Sequence, residues 1–413
     1  MRGEAVRVPE GGTDRSPDTR AQRLLVLVGI VVLAFNLRPA AVSVGPVLDE
    51  IRAGLAMSST AAGVLTTLPV LAFAGFGALA PALARAAGLH RVTLLSLVAV
   101  VAGLVLRSQT GSVPGFLLLS LLALVGGATA NVLLPSLVKL HFPDRVGVMT
   151  SVYTTALAVG LTSSSIFTVP MSDRFGSWRS GLLAWALTAA VAVIPWLGLV
   201  RHDRAPEASH GRVSLSAVAR TRLGWGMALF FGLQSLQAYS VFGWIAQVYR
   251  DAGFSAGTAG LLLGVITGMS IPLSLWLPAL TARLDDQRLL IALLVACYMV
   301  GYVGLILAPV AGAWAWSILI GTGAAVFPVV LTMIGLRART SEGTAALSGF
   351  TQSVGYLMSA IGPFGMGLLY GLTGGWTVPL LVLACLCVAQ LFAGMAVARP
   401  SYIEDSVGRL RRG

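Results

Sequence analysis

The chain alternates long apolar stretches with short polar connections. A helix needs about 20 predominantly apolar residues to cross a bilayer, so the pattern predicts twelve transmembrane helices, named spans 1 to 12 below. The apolar runs cover residues 24–48, 59–82, 92–109, 113–138, 147–170, 178–200, 224–248, 257–281, 289–309, 312–335, 344–370 and 376–398. Polar residues remain at 1–23, 201–223 and 399–413.

Spans 1 to 6 and spans 7 to 12 share an internal repeat, with an offset of 197 or 198 positions. The matches include Ala62-Gly63 with Ala259-Gly260, and Gly176-Ser177-Trp178 with Gly374-Gly375-Trp376. Because each copy has six spans, both insert in the same orientation, and such parallel repeats place a substrate site between two halves near the midplane. We predict an all-α polytopic membrane protein with two six-helix halves, 24–200 and 224–398.

The composition agrees with this prediction, because 56% of the residues are hydrophobic and 11% charged, whereas soluble domains carry about 25% charged residues. The net charge of +12 does not indicate nucleic acid, because most basic residues follow the inner connections. With the N-terminus inside, 22 of the 28 Lys and Arg lie in inner segments and five in outer loops: Arg52, Arg107, Arg174, Arg179 and Arg250. This asymmetry predicts cytoplasmic termini, with a disordered tail at 1–23, a cytoplasmic linker at 201–223 and a cytoplasmic tail at 399–413.

One basic residue, Arg38, belongs to no connection. It lies about 21 Å from the inner end of span 1, too deep to reach the membrane surface. A charge at the bilayer centre costs at least about 2.5 kcal/mol, so it usually faces a partner or a water-filled cavity. Pro39 frees the carbonyl of Phe35, which offers Arg38 a structural partner. A binding site for an anion or a dipolar solute is the functional alternative, which we favour.

No carboxylate is available to Arg38 at its own depth. Asp49 and Glu50 lie at the outer end of span 1, and all four histidines lie in inner connections. A ligand could therefore supply the missing counter-charge. Proton coupling would need an acid at a helix end or a protonated substrate, since the usual intramembrane proton carriers are absent. The three cysteines lie in apolar runs and are interpreted as small core residues, so neither a metal nor a cofactor is expected.

Polar side chains on other spans are candidates to complete a substrate site. Span 7 places Gln234, Gln237 and Trp244 on one helical face. Their alternative role is hydrogen bonding between helices, which we also predict for Asn36, about 200° around span 1 from Arg38. The remaining candidates are Asn131, Tyr153, Gln352 and Tyr356.

Prolines interrupt several of the predicted spans. Proline removes a backbone donor and bends a helix, so these positions are predicted kinks that could absorb rocking of the two halves. They are Pro39, Pro69, Pro135, Pro272, Pro328 and Pro363.

Several motifs stand out along the spans: Asn36-Leu37-Arg38-Pro39, Thr66-Thr67-Leu68-Pro69, Asn131-Val132-Leu133-Leu134-Pro135 and Phe350-Thr351-Gln352-Ser353-Val354-Gly355-Tyr356. Together they resemble the cyanate and 2-nitroimidazole transporter family of the major facilitator superfamily. The resemblance covers roughly residues 24–398. It implies a twelve-helix, two-half fold whose central cavity alternates between the two sides of the membrane.

The sequence thus predicts a secondary or facilitative transporter of the cell membrane, a monomer in the lipid bilayer that moves a small anionic or dipolar solute. A cyanate-like anion and a nitroimidazole-like heterocycle both fit. An exporter of toxic apolar compounds is an alternative, and a sensor that binds without translocating is another. An intramembrane enzyme is disfavoured, because no acid, histidine or thiol pair lies at the midplane to run acid–base or nucleophilic steps.

Overall fold

The computed structural model describes residues 20–142, 145–200 and 215–410, and all regular secondary structure within these ranges is helical. The predicted tail 1–23 and linker 201–223 lie mostly outside the described residues. The first helix begins at Arg20, inside the predicted tail. The N-terminal half contains α1 Arg20–Asn36, α2 Pro39–Val42, α3 Leu48–Leu55, α4 Ser59–Ala72, α5 Ala78–Ala87, α6 Leu89–Gln109, α7 Val113–His141, α8 Val146–Arg174 and α9 Trp178–Leu199.

The C-terminal half follows a short helix, α10, at Leu215–Val218. Its helices are α11 Arg222–Asp251, α12 Ala256–Gly268, α13 Ser270–Arg283, α14 Arg288–Leu307, α15 Ala313–Ala324, α16 Val326–Leu336, α17 Ser341–Ser359, α18 Ile361–Thr373 and α19 Thr377–Ala398. The predicted tail 399–413 is partly ordered, because α20 occupies Ile403–Leu410.

Within the described residues, ten helical stretches are long and apolar enough to cross a membrane. They correspond to all predicted spans except 7 and 11. At those two positions the structure has α11, with 30 residues, and the pair α17 and α18. The helix α11 is buried among other helices along most of its length. Its polar groups therefore bond to protein instead of facing lipid, and the helix needs fewer apolar residues than a span that faces lipid.

Helix breaks and prolines coincide in several spans. Pro39, Pro272, Pro328 and Pro363 each lie in the first turn of a new helical segment: α2, α13, α16 and α18. The missing backbone donor of proline costs no hydrogen bond there, because the first turn has no internal acceptor for it. Pro69 and Pro135 lie inside the continuous helices α4 and α7, and a single π-helical turn, Phe73–Gly77, follows α4.

The two halves meet through reciprocal helix pairs. The contact of α4 with α18 joins span 2 to span 11, and that of α8 with α12 joins span 5 to span 8. Since the repeat relates span 2 to span 8 and span 5 to span 11, each pair is the symmetry copy of the other. The parallel repeat inferred from the sequence therefore appears as a pseudo-twofold interface.

This interface is tightest at the end of the bundle away from Arg20 and Leu410, called the far end below. Glycines let the backbones of the two halves touch there. A Cβ atom on Gly45 would lie 2.5 Å from the carbonyl oxygen of Phe242, and one on Gly367 would lie 2.8 Å from the Cα of Gly63. At the opposite end, Pro135 and Thr154 are exposed.

Two expectations about exposure were wrong. Arg107, which we counted among the outer-loop residues, lies inside α6 with none of its surface exposed. The core assignment of the cysteines holds for Cys387, which is buried, but Cys385 is exposed on the same helix and Cys297 is half-buried. Apolar runs show that a residue lies in a span, but they do not show which neighbour its face meets.

Candidate functional site

The first span is not one continuous helix, and Arg38 lies at its break. The helix α1 ends at Asn36, and Arg38 is the N-cap of the four-residue helix α2. Its carbonyl oxygen accepts the backbone N–H groups of Ala41 and Val42 at 3.0 and 3.1 Å. The backbone of Arg38 is therefore fixed by the orientation of α2.

Aromatic residues from three other spans surround the Arg38 guanidinium. Its Nη1 donates to the Tyr239 hydroxyl at 3.1 Å, and its Cζ lies 5.4 Å from the ring centroid of Phe73. The Tyr356 hydroxyl is a further interaction partner. The Tyr356 ring stacks on Phe73 at 5.1 Å and meets Phe231 edge to face at 5.0 Å. We call Phe73, Tyr239 and Tyr356 the aromatic cage.

The site joins the two halves, because Arg38 and Phe73 belong to the N-terminal half and the two tyrosines to the C-terminal half. Tyr239 and Tyr356 are each 5% exposed, whereas Arg38 is half-buried. Among the described residues, no Asp or Glu forms a salt bridge with Arg38. The guanidinium is thus held by ring faces and neutral hydroxyls, which leaves its positive charge uncompensated by the described side chains.

The Phe35 carbonyl is not the structural partner that Pro39 offered to Arg38. It faces Gly160 of α8, where a Cβ atom would overlap the carbonyl oxygen. Asn36 points away from the cage, as predicted. Its Nδ2 donates to the backbone of Thr188 at 3.2 Å, and its Oδ1 accepts from the hydroxyl of Thr188 at 2.7 Å.

The structure does not bring the polar stripe of span 7 to Arg38. Gln234, Gln237 and Trp244 are fully buried, and their hydrogen bonds run to other helices of the C-terminal half. The Trp244 Nε1 donates to the carbonyl of Pro363 at 2.9 Å. Gln234 donates to Ala324 and accepts from Gln390, while Gln237 donates to Leu383 and accepts from Tyr302. These bonds match the alternative role, that of joining helices.

The remaining candidates occupy different surroundings. Tyr356 lies in the cage. Gln352, one turn earlier on α17, donates to Ser348 Oγ of its own helix at 2.7 Å. Asn131 is half-buried on α7, one turn from Gly127, where an added Cβ atom would lie 3.4 Å from the carbonyl oxygen of Leu37. Tyr153 packs against the apolar core of the N-terminal half.

Sequence reasoning missed Tyr239 and Phe73. Tyr239 lies on α11 between Gln237 and Trp244, but on a different helical face from the stripe that we singled out. Phe73 begins the π-helical turn after α4. No local motif marks either residue, because an aromatic residue in a span usually packs in the apolar core.

Polar groups close the far end above the cage. Arg250 of α11 donates to Glu50 of α3 at 2.7 Å and lies 3.6 Å from Asp49. Gln247 donates to Asp49 and Asp251, and the hydroxyl of Tyr370 donates to Asp251 at 3.0 Å. This network, together with the glycine contacts, ties the two halves together at the far end.

Comparison with known proteins identifies the fold family. The family model for the Major Facilitator Superfamily matches residues 24–363. The chain belongs to the Major Facilitator Superfamily. An uncharacterized transporter, YycB, from Bacillus subtilis (strain 168) is 37% identical over 391 residues, which cover 94% of this chain and 96% of that protein.

Two further relatives come from Escherichia coli (strain K12). The 2-nitroimidazole transporter is 34% identical, with 92% of this chain and 97% of the relative covered. The cyanate transport protein CynX is 27% identical, with 85% and 91% covered. The expected membership in the cyanate and 2-nitroimidazole transporter family is confirmed. The crystal structure of the nucleoside transporter NupG has the same fold, with a TM-score of 0.73 at 15% identity and coverage of 91% and 98%.

The family assignment establishes the general activity. The chain is a multi-pass membrane transporter of small-molecule solutes, and its relatives are transporters, not enzymes. The all-α fold expected from the sequence is confirmed.

Proposed function

We propose that this transporter carries a small anionic or strongly dipolar solute, whose negative group binds Arg38 inside the aromatic cage. The observation that supports this proposal is a half-buried guanidinium at the junction of the two halves, with no carboxylate partner among the described residues. Solutes like those named for the relatives, a linear cyanate anion and a planar nitroimidazole, both present a negative or partly negative group on a compact frame.

The energetics of a buried charge favour an anionic cargo. Hydroxyls and ring faces compensate a guanidinium only in part, because each cation–π contact contributes about 0.5–2 kcal/mol. An anion that forms paired hydrogen bonds with the guanidinium compensates its charge and is also held in a defined orientation. Since Arg38 and Tyr239 belong to different halves, a solute that displaces the Tyr239 hydroxyl also releases one bond between the halves.

We further propose the cell membrane as the site of action, with both termini in the cytoplasm. The excess of Lys and Arg in the connections on the side of the termini supports this orientation. In that frame, the far end is extracellular and closed. Transport by alternating access requires the far-end contacts to separate while the terminal end closes. The transporter works as a monomer in this proposal.

A second candidate, an exporter of apolar aromatic compounds, is supported by the cage itself. Phe73, Tyr356 and Phe231 form a continuous aromatic surface beside Arg38. Such a surface stacks on flat ligands regardless of their charge. The two candidates differ in one property, the dependence of affinity on the ligand's negative group.

Uptake into proteoliposomes tests the proposal directly. The panel contains cyanate, 2-nitroimidazole and imidazole, the last of which keeps the ring and lacks the nitro group. We expect uptake of cyanate or 2-nitroimidazole, saturable and lost in Arg38→Ala, with imidazole excluded. The control Arg179→Gln removes a half-buried arginine that bonds to Ser108 and Thr110 at the far end. It should leave the uptake unchanged.

Three results bear on the proposal. Wild-type affinity in Arg38→Ala would remove Arg38 from the site. Equal transport of imidazole and 2-nitroimidazole would favour the aromatic exporter. Setting the membrane potential and the pH gradient separately shows the sign of the transported charge, because one monovalent charge crossing 100 mV is worth about 2.3 kcal/mol.

A further inference from the structure

Arg107 is a second buried arginine, outside the site described above. It lies in the last turn of α6 and is fully buried, and its Cζ lies over the ring of Phe116, 6.0 Å from the ring centroid. Among the described residues, no acidic side chain forms a salt bridge with it. Burying an uncompensated charge is unfavourable, so the contacts that Arg107 does make call for an explanation.

Both of its hydrogen bonds end on the segment that follows Arg38. Nη1 donates to the carbonyl oxygen of Ala40 at 2.9 Å, and Nη2 lies 3.4 Å from the hydroxyl of Ser43. Its Nε has no partner. The guanidinium therefore spans from α6 to the short helix α2 and the residue after it, instead of bonding within its own helix.

The segment that Arg107 holds has little structure of its own. The helix α2 has four residues, and the chain passes from it through a turn into a single 3₁₀ turn at Gly45–Val47. Helical segments this short have few internal hydrogen bonds and depend on outside contacts for their orientation. A donor that fixes Ala40 and Ser43 supplies such a contact, since Ser43 is also fully buried.

The orientation of α2 determines where Arg38 points. Arg38 is the N-cap of this helix, and its carbonyl accepts hydrogen bonds from Ala41 and Val42. A rotation of α2 moves the Arg38 Cα and therefore displaces the guanidinium from Tyr239. Ala40, which Arg107 holds, lies only two residues from Arg38.

We propose that Arg107 is a positioning residue, which fixes α2 so that the guanidinium of Arg38 is aimed into the aromatic cage. Arg107 does not touch the solute and acts through Arg38. The inference rests on the proposed function for the part played by Arg38, whereas the fixing of α2 does not depend on any solute.

Two measurements on the full-length protein in detergent or nanodiscs test this role. The first is hydrogen–deuterium exchange of peptides covering residues 37–47, without solute. Arg107→Gln should raise exchange in this segment relative to wild type. The control Arg179→Gln, which removes an arginine that bonds to the adjacent end of α6 but not to α2, should leave it unchanged.

The second measurement is the dissociation constant of 2-nitroimidazole and of cyanate, in a double-mutant cycle. Residues that act in one network typically show non-additive effects. We expect Arg107→Gln to weaken binding about tenfold in the wild-type background. In the Arg38→Lys background, it should cause no further loss. A general packing defect would instead add the same loss in both backgrounds and would lower the unfolding temperature.

The outcomes separate this inference from the proposed function. Unchanged exchange at 37–47, or equal losses in both backgrounds, would overturn the positioning role while leaving Arg38 as the binding residue. Raised exchange without binding of either probe by wild type would refute the proposed solutes and retain the fixing of α2. If Arg107→Gln does not fold, Arg107→Lys replaces it in the exchange measurement, because lysine keeps the charge but cannot reach both acceptors. Wild-type exchange at residues 37–47 in Arg107→Lys would overturn the positioning role.

Discussion

The close contact between α4 and α18 makes a quantitative prediction about closure of the far end. A methyl group added at Gly367 would lie 2.8 Å from the Cα of Gly63 and 2.9 Å from the carbonyl oxygen of Ser59, both in the opposite half. It would also meet the Trp244 ring of its own half at 2.7 Å. Carbon atoms pack favourably at about 3.5–4.0 Å, so α18 must move away from α4 by several tenths of an ångström.

The overlap with α4 is confined to the closed far end, whereas the overlap with the Trp244 ring lies within one half and burdens both conformations alike. Overpacking a well-packed interface costs about 1–3 kcal/mol, and the contact with α4 disappears when the halves separate. The closed conformation should therefore lose about 5- to 150-fold in population relative to the conformation with an open far end. Alanine also favours the helix over glycine by about 0.5–1 kcal/mol, and this gain is the same in both conformations.

The matched control is Gly365→Ala, two residues away on the same helix, where an added Cβ meets nothing within 4 Å. Distance distributions between labels at the exposed positions Ala53 and Leu372 report on the far end, after replacement of Cys297 and Cys385. We expect longer distances and at least fivefold slower turnover for Gly367→Ala, and wild-type behaviour for Gly365→Ala. Identical distances and turnover in the two variants would refute the view that backbone contact at glycines closes the far end.

Three further predictions concern other parts of the molecule. Arg250→Gln removes the ion pair with α3, and since half-exposed pairs contribute about 0–1 kcal/mol, it should lengthen the far-end distance less than Gly367→Ala does. High salt screens the ion pair in the wild type, so the difference between Arg250→Gln and wild type should vanish there. Gln237→Leu leaves buried hydrogen-bond partners unsatisfied and should lower the free energy of unfolding by about 1–3 kcal/mol, which thermal unfolding measures. An increase in KM for solute uptake at unchanged stability would instead place Gln237 in the substrate site. For Glu404, burial opposes ionisation, but hydrogen bonds from Arg339 and Thr340 outweigh it and lower the pKa of this carboxyl below 4.5. The helix α20 should therefore stay attached to the start of α17 above pH 4.5 and detach as the pH falls through the lowered pKa. Limited proteolysis would detect the detachment, and Glu404→Gln should produce it at neutral pH.

The sequence alone determined the features that follow from composition and period. Apolar runs of sufficient length must cross the bilayer as helices, since a backbone in hydrocarbon has to satisfy its hydrogen bonds internally. The repeat offset fixed the parallel relation of the halves, and the depth of Arg38 in span 1 singled out the charge that needs a partner. The interhelical role of Asn36 also followed, because its angle to Arg38 around the helix axis is set by the residue spacing.

The tertiary structure decided which faces meet. Helical spacing groups Gln234, Gln237 and Trp244 on one face, but it does not give the rotation of α11 about its axis, and packing turned that face into its own half. The same rotation brought Tyr239 to Arg38, although nothing local distinguishes it from a core tyrosine. The burial of Arg107 was also decided by packing. Its position near the end of a span predicted an outer loop, but the break in span 1 provides the Ala40 carbonyl and the Ser43 hydroxyl as acceptors for its guanidinium. Spacing along the chain fixes the pattern on each helix, whereas the partner of each face depends on how the other helices pack against it.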